Sequence, residues 1–180
     1  MNRNGMSILI AEDDYDIAFS YKLALEERGH HVTITDNGED CLIKYHEEFQ
    51  KSQQRASCGD DHAMYRFHPF HVVILDFKMP KIDGMEVAKE IAAVNSHQRI
   101  IFASAYVKET LENEVHQLGR VTELMQKPFG EQELIDSIED KYTYDELRKL
   151  NVDVDAFLTL NPPHELIKQL LEKMQQLQKD

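Results

Sequence analysis

The chain of 180 residues lacks the features that mark several large classes of protein. Its two cysteines, Cys41 and Cys58, are too few for a disulfide framework and are typical of a reducing compartment. No apolar run approaches the roughly 20 residues that span a bilayer, and the first residues lack the apolar core of a signal peptide. We therefore expect a cytoplasmic protein that is not inserted into a membrane.

Basic residues are also scarce. There are 20 Lys and Arg residues against 33 Asp and Glu residues, which gives a formal net charge of −13. This balance disfavours a non-specific grip on nucleic-acid phosphates, and no basic helix-turn-helix pattern, zinc-finger spacing or RNP-like motif is present. Direct binding to nucleic acid is therefore not expected.

What the chain does contain is an ordinary globular composition, with 42% hydrophobic and 29% charged residues. Its length allows one well-buried domain with an appendage. We place the domain at residues 1–140 and a helical C-terminal extension at residues 141–180.

Four short apolar runs each end in charged or hydroxyl residues, and helical patterns lie between them. The residues that end these runs are Glu12 and Asp13, Asp76, Ser104, and Lys127. Runs of this kind predict parallel strands buried on both faces, whose polar ends meet at one edge of the sheet. That edge is where ligands bind in such folds.

Five strands alternate with five helices in this pattern, which predicts a doubly wound α/β fold around a parallel sheet. We expect strands at about 6–11, 32–35, 72–75, 100–103 and 121–126. We expect helices at about 15–28, 39–49, 84–94, 108–118 and 131–141. Residues Gln50 to Phe70 show no clear periodicity and predict a long inserted surface loop.

The extension has its own signals. Thr143 and Glu146 form a capping box that predicts the start of a short helix, and a second short helix is expected near residues 155–160. A final helix is expected after Pro163, with an apolar stripe formed by Ile167, Leu170, Met174 and Leu177. This stripe needs cover, so we expect it to pack against the domain of its own chain or of a second copy.

The converging residues suit a divalent cation and a phosphoryl group. Mg²⁺ prefers hard oxygen ligands, which Glu12, Asp13 and Asp76 can supply from adjacent strands. A carboxylate beside Mg²⁺ can attack phosphorus and form an aspartyl phosphate. An ammonium and a hydroxyl, here Lys127 and Ser104, can stabilise the charge of the transferring group.

Residues 6 to about 140 resemble the receiver domain of two-component response regulators. The resemblance rests on the acidic pair Glu12-Asp13, on Asp76 followed by Met79-Pro80 and Asp83-Gly84, on Ser104-Ala105, and on Lys127-Pro128-Phe129. It implies a flavodoxin-like five-stranded sheet of order 2-1-3-4-5. It further implies that Lys127-Pro128 is a cis peptide bond.

The resemblance assigns a role to each of these residues. Asp76 would be the phosphoacceptor, and Asp13 would bind Mg²⁺ directly while Glu12 acts mainly through water. Residue Lys78 would give the metal its backbone carbonyl. Ser104 would be the switch hydroxyl and Lys127 the lysine that contacts the phosphoryl group.

The expected function is therefore a Mg²⁺-dependent response regulator, phosphorylated on Asp76 by the phosphohistidine of a histidine kinase or phosphotransfer protein. Phosphorylation would shift the region after the fourth strand, and output would pass to a downstream target protein through contacts between proteins. Such a chain is no enzyme beyond promoting its own phosphorylation and dephosphorylation. Homodimerisation stays open.

Two alternatives come from other functional classes. One is a receiver-like interaction module without phosphate turnover, which the complete set Asp13, Asp76, Ser104 and Lys127 disfavours. The other is a Mg²⁺-dependent phosphatase with Asp76 as nucleophile. Such enzymes usually carry an acid two residues later, where this chain has Lys78.

Three features depart from the family pattern. The first two are Leu124, which stands where an aromatic residue is usual, and one extra residue between Gly119 and Lys127; Tyr106 could take over the aromatic role. The third is Lys78, beside the expected phosphoacceptor. Lys78 could alter the lifetime of the phosphoryl group, or it could be an ordinary surface lysine.

Some further polar residues could be metal ligands, but each also has a simpler structural explanation. Asp14 could be a spare metal ligand but more often only borders such a site, and Asp83 suits a turn before a helix. Cys58, His62, His68 and His71 could bind a transition metal, but their spacing matches no zinc pattern, which favours a solvated insertion.

Overall fold

The five predicted strands form one parallel sheet in this computed structural model, which describes residues 5–56, 69–105, 122–139, 141–154 and 164–177. The strands are β1 (Ser7–Ala11), β2 (His31–Thr35), β3 (Val72–Asp76), β4 (Ile100–Ser104) and β5 (Thr122–Gln126). Their order in the sheet is β2-β1-β3-β4-β5, and all four neighbouring pairs are parallel. The expected order 2-1-3-4-5 is confirmed.

The helices that the structure describes are α1 (Tyr15–Glu27), α2 (Gly38–Ala56), α3 (Gly84–Val94), α4 (Glu131–Ile138), α5 (Lys141–Lys149) and α6 (His164–Leu177). The helices expected at 108–118 and 155–160 lie outside the described residues. Within those residues, no helix is both long enough and apolar enough to cross a membrane.

The sheet is buried on both faces because alternate residues of each strand point to opposite sides. On one side, Leu9 and Phe102 pack with residues of α2 and α3. On the other side, Ile10 and Ile74 pack with residues of α1 and α4. Burying one such side chain contributes roughly 1.5–3 kcal/mol, so the central strands hold the sheet edge firmly in place.

Helix α2 is longer than the sequence predicted. It continues through Gln50 to Ala56, so the prediction of a loop beginning at Gln50 is wrong for this part. The reason is local: glutamine and lysine favour helices, and Lys51 forms an ion pair with Glu48 one turn earlier. At the other end of the expected loop, Phe70 is buried in the core. Residues 57–68 lie outside the described residues.

The start of the extension also differs from the prediction. Helix α4 ends at Ile138 and α5 begins at Lys141, whereas the sequence predicted one helix to residue 141 and a cap at Thr143. Thr143 therefore lies within the first turn of α5 and is buried there.

The extension has a small apolar core of its own. The buried residues of this cluster are Tyr144, Leu147, Val154, Ile167 and Leu171, and Leu170 and Met174 pack against them. Within the described residues, most of the stripe on α6 is thus covered by α5 and the turn after it rather than by the receiver of the same chain. Leu177, the last residue of the stripe, remains exposed.

Candidate functional site

Strand pairing brings the predicted polar residues to one edge of the sheet. Ala11 of β1 pairs with Leu75 of β3. Glu12 and Asp76 are the next residues of the two segments, so they lie side by side at the ends of adjacent strands. Asp76 in turn pairs with Ala103, the residue before Ser104. The backbone N–H of Lys127 donates to the carbonyl of Ser104 at 2.7 Å, which fixes the residue after β5 beside the end of β4.

Three carboxylates meet at this edge. One oxygen from each of Glu12, Asp13 and Asp76 lies within 4.8 Å of the other two. Within the described part of the chain, this is the one group of three or more His, Cys, Asp or Glu side chains that is close enough to share an ion. Hard oxygen donors in this arrangement fit Mg²⁺, which commonly binds one or two protein carboxylates and completes its shell with water and phosphate oxygens.

Lys127 lies between two of these acids. Its Nζ atom donates to Oε2 of Glu12 at 2.5 Å and to Oδ1 of Asp76 at 3.0 Å. Lys127 directly follows β5, and the peptide bond between Lys127 and Pro128 is cis, as the resemblance implied. One ammonium facing three carboxylates leaves the site short of positive charge, which a divalent cation would supply.

Burial controls the electrostatics of the site. Glu12 is only 4% exposed, and this desolvation raises its pKa although the hydrogen bond from Lys127 opposes the shift. Asp76 and Asp13 raise the pKa of Glu12 further through charge repulsion. Burial lowers the pKa of Lys127, but its hydrogen bonds to Glu12 and Asp76 outweigh burial, so the net pKa is raised. Lys127 therefore remains an ammonium at neutral pH.

The turn after Asp76 is tightly built. The backbone N–H of Lys78 donates to Oδ2 of Asp76 at 3.2 Å, so both carboxylate oxygens of Asp76 accept hydrogen bonds. The N–H of Gly84 donates to the carbonyl of Phe77 at 3.0 Å. A Cβ atom on Gly84 would lie 2.2 Å from the carbonyl oxygen of Asp76, so no side chain fits at this position.

Ser104 and Leu124 lie on the two strands that follow β3 in the sheet. Ser104 is almost fully buried at the end of β4. Leu124 is partly buried and packs with the core cluster that contains its strand partner Phe102. Tyr106, the alternative aromatic residue, lies outside the described residues.

The two other aspartates are helix caps. Asp14 is the N-cap of α1 and accepts from the N–H groups of Asp16 and Ile17. Asp83 is the N-cap of α3 and accepts from the N–H of Glu86 at 2.9 Å. Both carboxylates thus satisfy backbone donors that a helix start leaves open, which explains them without a metal.

Of the four residues that could bind a transition metal, His71 alone lies within the described residues. Cys58, His62 and His68 lie outside the described residues. The Nδ1 atom of His71 accepts a hydrogen bond from the N–H of Ser7 at 2.9 Å, so this ring has a structural partner.

One surface near the site was missed by the sequence analysis. Tyr15, Phe19 and Leu23 of α1 are 69%, 48% and 50% exposed, and the rings of Tyr15 and Phe19 stack at 5.9 Å. They recur every four residues on the outer side of α1, which begins two residues after Asp13. Their spacing is visible in the sequence, but the same helix also carries the apolar residues Ala18, Tyr21 and Leu25, which are buried, so the sequence alone does not show which apolar residues face outward.

Comparisons with known proteins agree with this geometry. The family model of the response regulator receiver domain matches residues 47–139. The chain is 30% identical over 132 residues to the response regulator receiver protein CpdR of Brucella abortus, which covers 73% of this chain and 92% of CpdR. It is 29% identical over 125 residues to response regulator RR06 of Streptococcus pneumoniae, which covers 69% of this chain and about half of RR06, 48%.

A solved structure supports the fold. The receiver domain protein from Methanospirillum hungatei, described as CheY-like, superposes with a TM-score of 0.59 at 22% identity and covers 81% of this chain and 98% of that chain. The family match begins at residue 47, after Glu12 and Asp13, so the acidic pair is placed at the site by strand pairing.

Proposed function

The chain belongs to the response regulator receiver family, and from this premise we propose that it accepts a phosphoryl group on Asp76 from a phosphohistidine. The reaction would require Mg²⁺, and the phosphorylated chain would act through contacts with other proteins. Residues 1–140 would form the receiver and residues 141–180 a helical extension. The fully buried free thiol of Cys41 suits the reducing cytoplasm in which we place this activity.

The observation that carries the proposal is the arrangement around Asp76. Its carboxylate lies at the end of a buried strand, it contacts the ammonium of Lys127, and the carboxylates of Glu12 and Asp13 lie close enough to share a metal ion with it. A structural aspartate needs one cation partner, whereas this site combines an acid cluster with a lysine and a buried hydroxyl. That combination suits phosphoryl transfer.

In the proposed reaction an oxygen of Asp76 attacks the phosphorus of phosphohistidine. The P–N bond breaks, its electron pair stays on the imidazole nitrogen, and the new bond joins phosphorus to the Asp76 oxygen. Lys127 would hold Asp76 in place and then contact the transferred oxygens, and Ser104 would donate its hydroxyl to them. When Lys127 moves to the transferred oxygens, Glu12 would lose the hydrogen bond that it accepts from Lys127.

The metal ligands would be Asp13 and Asp76 directly, Glu12 mainly through water, and the backbone carbonyl of Lys78. Bound Mg²⁺ would supply positive charge that offsets the acids and the incoming phosphoryl oxygens. The tight turn held by Gly84 keeps the backbone of Asp76 in position for this role.

Receiver domains interact with histidine kinases or phosphotransfer proteins, and α1 offers a surface for such a partner. The exposed side chains of Tyr15, Phe19 and Leu23 form an apolar stripe, and they lie beside the end of β1 that carries Asp13. A helix of the phosphohistidine-bearing partner could pack on this stripe and bring its imidazole to Asp76. Unlike a classical enzyme, the chain would promote only its own phosphorylation and dephosphorylation.

The experiment that tests the proposal is incubation with acetyl phosphate and Mg²⁺, followed by intact mass spectrometry. We expect one phosphoryl group that is labile to hydroxylamine, as acyl phosphates are. Asp76→Asn should not be labelled, and chelation of Mg²⁺ should prevent labelling of the wild-type chain. Equal labelling of Asp76→Asn would assign the acceptor elsewhere.

A further inference from the structure

A buried arginine, which no sequence motif indicated, donates hydrogen bonds to the C-terminal end of α4. Arg99 directly precedes β4 and is nearly fully buried. Its Nη2 and Nη1 atoms donate to the carbonyls of Ser137 and Ile138 at 2.6 and 2.9 Å. These are the last two residues of α4, and their carbonyls belong to the last turn, which a helix leaves without the usual partner four residues later. Arg99 thus fixes the point at which the receiver chain turns into the extension.

Arg99 also connects this point to β5. Its Nε atom donates to Oε1 of Glu123 at 3.0 Å, and the hydroxyl of Ser137 donates to Oε2 of the same carboxylate at 3.4 Å. The planar guanidinium therefore joins the start of β4, the strand β5 and the end of α4 in one hydrogen-bonded unit. Helix α5 begins at Lys141, three residues after Ile138.

A second set of contacts holds the same end of α4 from the opposite side. Glu139, the C-cap of α4, accepts from Nε and Nη2 of Arg28 at 3.0 and 2.7 Å, and it lies 3.3 Å from Nε2 of His30. Arg28 and His30 follow α1 and precede β2. The end of α4, from which the chain enters the extension, is therefore anchored both to the β4–β5 side and to the α1–β2 side of the receiver.

The two anchors differ in their relation to Asp76. Strand β4 ends at Ser104 and β5 leads into Lys127, so the strands that carry the phosphate-binding groups at one end carry Arg99 and Glu123 at the other. Lys127 is linked to the side that carries Arg28 and His30 less directly, through Glu12, whose N–H donates to the carbonyl of Thr35 at the end of β2. A change in the positions of Ser104 and Lys127 would therefore reach the extension most directly through the first anchor, which lies on their own two strands.

We propose that Arg99 and Glu123 couple the phosphorylation state of Asp76 to the packing of the helical extension, which makes residues 141–177 the regulated output of this receiver. The inference rests on the proposed function, because it requires a phosphoryl group on Asp76. Arg99 is a positioning residue in this scheme and does not contact the reacting atoms. Helices α5 and α6, with their own apolar core, respond as one unit.

Hydrogen exchange of the full chain tests the proposal. Amide exchange in α5 and α6 is measured with Mg²⁺ alone and with Mg²⁺ and acetyl phosphate, and intact mass gives the phosphorylated fraction. We expect phosphorylation to change exchange in both helices by about fivefold or more, the low end of typical coupling between sites. Arg99→Gln should remove this response while Asp76 is still phosphorylated.

Two further variants separate coupling from damage to the fold. Glu123→Ala removes the acceptor of Arg99 on β5 but leaves the bonds of Arg99 to the α4 carbonyls in place, and it should also suppress the response, so the test stands if Arg99→Gln fails to fold. Arg28→Gln, the matched control at the other anchor, should retain it. Phosphorylation of the wild-type chain without changed exchange, or an equal response in Glu123→Ala, would overturn the inference alone. A wild-type chain that gains no phosphoryl mass would overturn the proposed function and this inference with it.

Discussion

The ammonium of Lys127 lies 2.5 Å from Oε2 of Glu12, a carboxylate that is almost completely buried. The contact joins the ends of β1 and β5, which are not neighbours in the sheet. The same ammonium contacts Asp76, so the position of one lysine determines the charge balance of two acids.

Replacing Lys127 with methionine should destabilise the protein, because it leaves Glu12 buried without a cation partner. Breaking a buried ion pair costs on the order of 3–5 kcal/mol, and the partial exposure of Lys127 favours the lower end. Urea unfolding at pH 7 measures the change. The double variant Lys127→Met with Glu12→Gln should recover part of the loss, and an unchanged unfolding midpoint in Lys127→Met would show that the pair contributes nothing.

Binding of Mg²⁺ should depend on Asp13 and not on Asp14. Calorimetric titration should show one site in the wild-type chain, and Asp13→Ala should weaken it at least about tenfold, equivalent to 1.4 kcal/mol. Asp14→Asn is the matched control, because Asp14 caps α1 and asparagine also caps helices. If both variants weaken the site equally, the effect comes from net charge and not from a ligand.

A methyl group at Gly84 should disturb Asp76 directly. Gly84→Ala would place a Cβ atom 2.2 Å from the Asp76 carbonyl oxygen, so the backbone must move. Strain of this kind typically costs about 1–3 kcal/mol, and we expect slower phosphorylation by acetyl phosphate as well. Gly130→Ala provides the comparison, since a Cβ there meets nothing within 4 Å. Equal rates and equal stability in the two variants would contradict the proposed role of the turn.

Acidification should destabilise the protein partly through His30. Burial lowers the pKa of His30 although Glu139 opposes the shift, and its Nδ1 atom accepts from the N–H of Met6 at 3.2 Å. A histidine with a lowered pKa in the folded state contributes stability above its unfolded pKa of about 6.5, and this is lost as pH falls toward the folded pKa. The loss is at most about 1.4 kcal/mol per pH unit for one proton.

His30→Asn keeps an acceptor near the Nδ1 position but does not titrate. Its free energy of unfolding should therefore fall less than that of the wild-type chain between pH 7 and about pH 5, as measured by urea unfolding. Titrating groups that do not contact His30, such as Glu12, are common to both proteins and cancel in the comparison. Parallel profiles would exclude His30 as a source of the pH dependence.

The apolar stripe on α1 should affect transfer from a protein donor but not from a small one. Phe19→Glu should lower the rate of phosphotransfer from a phosphorylated kinase that labels the wild-type chain, by about tenfold or more if Phe19 is a central contact. Phosphorylation by acetyl phosphate should be unchanged. Ile43→Glu, at a similarly exposed position on α2, is the control and should leave both rates unchanged.

The sequence determined the fold and the set of polar residues in the candidate site because both depend on local patterns. Short apolar runs that stop at Asp76, Ser104 and Lys127 predict buried parallel strands, and parallel strands must bring their carboxyl ends to one edge. The same patterns misjudged features with weak local signals. Polar residues after Phe49 carried no periodicity although α2 continues through them, and Thr143 matched a capping box although the helix begins two residues earlier.

Tertiary structure alone decided which polar groups meet over long separations in the chain. Lys127 bonds Glu12 across 115 positions and Arg99 bonds the carbonyls of α4 across 38 and 39, and neither pairing leaves a local trace, because it depends on strand order and on how helices cross the sheet. Exposure is likewise a tertiary property: Phe19 and Leu25 belong to the same helix, yet one faces outward and the other lies in the core. Residue types and local periodicity thus set the elements and their chemistry, while packing set which charges are paired, which apolar faces are open, and how the extension is attached.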